Sequence, residues 1–152
     1  MDSSFSKWLK YSHEYITAAS AYLVFCRKLS AEQAEQAGVC GSWTTRQLTA
    51  HITGWEKEVI TQYVKISQGL KTSIRYQIDE FNRQSVEARS QQTWEQTIQE
   101  LAQAQNELQS MVNKVGNDDI VKTKRYLQWI KILAEHYQHH LDQVITFWGD
   151  KR

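Results

Sequence analysis

Proline is absent from the 152 residues of this chain, and glycine occurs only six times. Without proline, no helix interior loses a hydrogen bond to a ring clash, and so few glycines leave long stretches uninterrupted. Cysteine is scarce too. Cys26 and Cys40 are too few to imply a disulfide framework in a chain long enough to bury roughly two-thirds of its unfolded surface. A reducing, cytoplasmic setting is therefore expected. No apolar run approaches the ~20 residues of a bilayer span, so no membrane partner is expected. Met1-Asp2-Ser3-Ser4 carries no basic stretch ahead of an apolar one, so no signal peptide is expected either. A formal net charge of +1 supplies no field that would gather nucleic acid.

What the chain does have is helix-forming residues and large rings. Six Trp, seven Tyr and four Phe can fill a core, while Gln, Glu and Lys solubilise the outside. The Ala/Glu/Gln/Leu/Lys content favours helix, and the length fits one domain over residues 1–152.

Apolar periodicity predicts four long helices. The first runs from about Ser6 to Lys28, with Trp8, Tyr15, Tyr22 and Cys26 on its stripe. Ser30 with Gln33 is a capping box for a short extra helix that Gly38 ends. Thr44 with Gln47 opens the second long helix, which carries Leu48, Ile52, Val59 and Tyr63 until Gly69 stops it. Residues 70 to 92 read as a crossover holding a short helical piece around Ile78 to Gln84. Thr93 with Gln96 opens the third long helix, broken by Gly116-Asn117-Asp118. The fourth runs from about Thr123 to Trp148. Four such amphipathic helices make an all-α four-helix bundle.

Of five histidines, His136 and His140 stand at i and i+4 and project from one helix face. Two imidazoles one turn apart converge on a point beyond the surface, but two ligands hold a metal weakly, so a third is needed. His51 lies roughly 10 Å into the second long helix, and His140 roughly 12 Å from the end of the fourth. The three therefore share one level only if those helices are antiparallel. A short link between the third and fourth helices and a long crossover between the second and third give the order up-down-down-up. His13 and His139 read as surface or hydrogen-bonded core residues rather than ligands, with His139 directed away from its two neighbours.

Trp43, His51 eight residues on, and then Trp55-Glu56 resemble a signature of the DinB/YfiT-like metalloenzyme family. Glu135-His136-Tyr137-Gln138-His139-His140-Leu141-Asp142-Gln143 is similar to the family's second signature, two histidines four apart with Gln three residues later. Ile78-Asp79-Glu80-Phe81-Asn82 resembles the crossover stretch of the branch related to DUF1706 proteins and to the N-terminal domains of mycothiol-dependent isomerases. The resemblance implies the same bundle order and a divalent ion on His51, His136 and His140, with open positions for water or substrate.

Three ligands and a vacancy suit reactivity, because structural zinc sites close their shell with four protein ligands. An ion so held can lower the pKa of bound water toward ~7 or keep a thiolate nucleophilic. Zinc and nickel suit three imidazoles first, with iron, manganese or copper as alternatives. The resemblance implies, in several branches, transfer of a low-molecular-weight thiol cosubstrate to a small electrophile, and hydrolysis or toxin protection in others. Two function classes follow. One is a metal-dependent thiol transferase or hydrolase acting on a small molecule. The other is a non-catalytic binding or sequestering protein of stress or toxin resistance that uses the same metal site. Exposed aromatics would also permit a homodimer. Gln143, one turn past His140, is the candidate catalytic helper, placed to hydrogen-bond a ligand or a metal-bound water. Glu56 is expected to be solvated, Asp79 and Asn82 to cap the crossover helix, and Trp43 and Trp55 to pack in the core. Cys40 is expected in an exposed loop.

Overall fold

The computed structural model describes residues 3–71 and 75–149. Four long helices dominate: α1 (Ser4–Cys26), α3 (Thr45–Ser67), α5 (Trp94–Lys114) and α7 (Arg125–Gly149). Between them lie α2 (Ala31–Ala34), a hairpin of β1 (Ala37–Cys40) and β2 (Trp43–Thr44), α4 (Ile78–Ala88) and α6 (Asn117–Lys122). The fold is the expected all-α bundle.

Local chemistry explains where the helices begin. Ser30, Thr44 and Thr93 each accept a hydrogen bond from the backbone N–H three residues on, and the Gln there returns one through its side chain. These reciprocal bonds satisfy donors that the first helical turn would leave orphaned. Gly69, at a φ of 73°, turns the chain away after α3 in a conformation that a Cβ would disfavour. Residues 72–74 of the expected crossover lie outside the described residues. Its helix α4 runs to Ala88, past the expected Gln84.

Side-chain bonds fix the directions of the long helices. Tyr63 near the end of α3 donates to the Tyr126 carbonyl at the start of α7 (2.9 Å). Trp148 Nε1 at the end of α7 donates to Thr45 Oγ1 at the start of α3 (3.2 Å). These two helices are therefore antiparallel. Tyr15 reaches Glu56 and Tyr22 reaches Thr49, so α1 is also antiparallel to α3. Trp94 Nε1 donates to the Leu29 carbonyl and Gln105 Nε2 to that of Ala19, which sets α5 against α1 in the opposite sense. The order is up-down-down-up, and α4 with its flanks makes the long return between the parallel helices α3 and α5.

The hairpin is a departure from expectation. Gly38 was expected to end the short helix, but α2 stops at Ala34 and Gly38 sits in β1 with a φ of 111°. Gly116 ends α5 as expected, yet the chain coils again at once into α6, whose Ile120 is buried.

Candidate metal centre

Burial of the α3 and α7 stripes brings three imidazoles together at one level of the bundle. His51 Nε2 lies 2.9 Å from His136 Nε2 and 3.2 Å from His140 Nε2, and the latter two are 2.9 Å apart. A point roughly 2 Å from each nitrogen, the length of a zinc–imidazole bond, lies just off the plane of that triangle. The group could hold a metal ion.

The surroundings favour neutral rings. Burial holds the His136 pKa down to about 2, helped by the charges that His140, His51 and His139 would carry. Burial likewise lowers His51 and His140 to about 4. All three rings are thus uncharged at neutral pH, as a metal ligand must be. His140 Nδ1–H donates to Gln143 Oε1 at 2.6 Å. An amide oxygen only accepts, so Nδ1 carries the hydrogen and Nε2 turns its lone pair toward the other two rings. His51 is held differently. Its Nδ1 is buried without a hydrogen-bond partner, and the Trp43 ring packs against it with centroids 5.0 Å apart. Three neutral rings whose Nε2 atoms converge on one point, one of them with its lone pair fixed inward, make a donor set that fits a metal ion.

Beside the triad opens a cavity of about 440 Å³, lined by His51 and His136 and by Trp55, Asn82 and Trp129 among others. Its α4 wall is anchored by Trp55 Nε1, which donates to Asn82 Oδ1 at 2.8 Å. The Trp55 ring lies against Phe81, with centroids 4.2 Å apart, and against Tyr76 at 5.2 Å. Tyr76 in turn meets Trp129 of α7 edge-on.

The sequence profile of the DinB superfamily matches residues 14–144, a span that takes in all three histidines, the crossover and most of each long helix. The chain belongs to the DinB superfamily. Comparison with curated proteins and with solved structures gives no match. Among the described residues of this DinB protein, no helix is long and apolar enough to cross a membrane.

Several expectations need correction in this DinB bundle. Glu56 is not solvated but fully buried, and it accepts hydrogen bonds from the Tyr15 and Tyr137 hydroxyls. Gln105 Nε2 donates to Tyr137 (3.0 Å), so one polar chain joins α1, α3, α5 and α7. Burial pushes the Glu56 carboxyl up to about 7 against the opposing pull of both phenols. Trp55 is a half-buried wall of the cavity rather than core, whereas Trp43, also half-buried, packs against the core as expected and against the His51 ring; Asn82 bonds an indole instead of capping α4. Cys40 lies half-buried in strand β1, while Cys26 is buried on the stripe of α1 as expected. His13 and His139 are exposed, although the His139 ring stays 5.0 Å from that of His140. Asp79 is exposed in the first turn of α4.

Proposed function

We propose that this DinB protein is a divalent-metal-dependent enzyme acting on a small electrophile, by thiol transfer or by hydrolysis. His51, His136 and His140 would be the ligands. The observation that carries this reading is the Nε2 triangle lying against a cavity large enough for a small molecule. Three imidazoles with room beside them match the ligand count of catalytic rather than structural zinc sites.

When bound, the ion would supply Lewis-acid chemistry, making a coordinated water or thiol acidic enough to react at neutral pH. The chain's own residues do the rest. Gln143 fixes the tautomer and tilt of His140, and the Trp43 ring backs His51. Trp55 and Trp129 give the cavity an apolar wall. Zinc or nickel is the favoured metal, with iron, manganese or copper behind, and a low-molecular-weight thiol is the favoured cosubstrate. The crossover residues support the branch related to mycothiol-dependent isomerase domains, and a cytoplasmic setting fits both cysteines being free.

One observation favours a second reading, binding or sequestration without turnover. Among the described residues, those lining the cavity include no carboxylate or lysine that could serve as a general base.

Elemental analysis of the wild type beside His51→Ala and His136→Ala tests the site. We expect divalent metal in the wild type and its loss from both variants, and undiminished metal in both would sink the reading. Native mass spectrometry with bacillithiol, mycothiol or glutathione separates the two functions. A thiol adduct of the electrophile supports transfer, whereas stoichiometric toxin binding without product supports sequestration.

A further inference from the structure

The cavity beside the histidines has a chemistry of its own. Val59, Ile78, Ile132 and Leu133 join Trp55 and Trp129 in its wall. Among the described residues, none lining it is an acid, a lysine or an arginine. Ile78 and Ile132 are 58% and 56% exposed, so apolar side chains stand in solvent where the cavity meets the surface. A charged body placed here would lose its hydration and find no counter-charge in return. An aromatic or branched aliphatic body would replace water against the rings.

One polar group interrupts this surface. Asn82 Oδ1 is taken by the Trp55 indole N–H, and an indole can only donate, so the amide's orientation is fixed. Its two Nδ2 hydrogens are left as the donor that Asn82 offers. Asn82 lines the same cavity as His51 and His136. A ligand atom held by the amide would therefore sit next to the histidine triad. That atom must be an acceptor.

We infer that the cavity takes an uncharged, mainly apolar small molecule with one hydrogen-bond acceptor, such as a ketone or ester oxygen, seated at Asn82 beside His51. This names the class of electrophile and rests on the proposed function for what happens to it.

Three probes that need no metal test the inference: acetophenone, acetone with the same carbonyl but no ring, and 4-acetylbenzoate with an added charge. Binding to the full chain is followed by ligand-observed NMR titration, with zinc content measured in parallel. Acetophenone is expected to bind about tenfold or more tighter than either comparison probe, the discrimination that burial of a ring and exclusion of a charge can supply. Ile132→Lys alters an exposed position and puts a cation at the mouth. It should bring 4-acetylbenzoate level with acetophenone or above it. Asn82→Asp keeps an acceptor for Trp55 but removes the donor, and should weaken acetophenone several-fold. Failure of acetophenone to bind up to its solubility limit overturns the inference. So does equal binding of acetophenone and 4-acetylbenzoate by the wild type, or Ile132→Lys changing neither. A chain that shows the expected preference but takes up no zinc overturns the metal reading alone. A zinc-loaded chain with no preference overturns the inference alone.

Discussion

A Cβ on residue 54 would stand 2.1 Å from Ser85 Oγ and 2.6 Å from Ser85 Cβ, so α3 and α4 meet at Gly54 with no room for a side chain. Trp55 follows Gly54 directly, and Asn82 lies one turn before Ser85. The close approach therefore sets the distance across which the indole reaches the amide. Gly54→Ala should force α4 outward. The better helix propensity of alanine offsets part of the damage, and a net loss of about 1–3 kcal/mol is expected from the overpacking. Ser85→Gly removes both clashing atoms and should rescue the Gly54→Ala variant. Urea unfolding of both single variants and the double variant reads the coupling. Strictly additive effects would mean that the two helices are not in contact there.

The contact that Gln143 makes is with His140, so the role it is proposed to play is to hold that ring. Its amide oxygen holds Nδ1–H, leaving Nε2 as the donor atom. Gln143→Ala frees the ring to rotate and to change tautomer. Outer-shell partners of this kind are worth roughly 10- to 100-fold in metal affinity. Competition with a chelator should show that loss in Gln143→Ala and little or none in Gln143→Glu, which keeps an acceptor. Unchanged affinity in the alanine variant would remove Gln143 from the site.

Metal should also register as stability. An ion that binds only the folded chain stabilises it by about 2.7 kcal/mol at a hundredfold excess over Kd. Zinc titrated into metal-free protein should raise Tm progressively, and His136→Ala should abolish the rise. A rise that survives in His136→Ala would place the ion elsewhere.

The parts of this molecule that were legible beforehand are those with local causes. Ser30, Thr44 and Thr93 each stand three residues before a Gln, and all three form the reciprocal cap that this spacing implies. The histidine cluster followed from helix rise: depth from the ends of α3 and α7 put His51 and His140 on one level. Glu56 was misread for a geometric reason. Five residues past His51 it points roughly 140° around the helix from that ring, so it does face away from the triad. Away from the triad is still inward, because α3 also packs against α4 and α5 and bonds α1 through Tyr15 and Tyr22. The hairpin at Ala37–Thr44 was hidden because strands of four and two residues carry too little alternation to read. The Trp55–Asn82 bond joins residues 27 positions apart, and no local pattern encodes such a pair.

Glu56 gives the last prediction, one of pH. Its carboxyl titrates near 7 in the folded chain, well above the ordinary 4.5, because complete burial outweighs the two phenol hydrogen bonds. Between these values the folded state holds a proton that the unfolded state releases, so stability must fall as pH rises. The contribution is fully present below about pH 4.5 and gone above about pH 7. A shift of this size corresponds to about 3 kcal/mol. The metal-site histidines act in the opposite sense. Their lowered pKa values make the metal-free fold gain stability as pH climbs toward 6.5. Comparing wild type with Glu56→Gln cancels that background, since the amide keeps acceptor capacity for the tyrosines but does not titrate. In metal-free protein, the stability of Glu56→Gln relative to wild type, from urea unfolding, should increase from pH 4.5 to about 7 and level off above it. A flat difference across that range would show that Glu56 is charged in the fold at all these pH values, its burial compensated by Tyr15 and Tyr137.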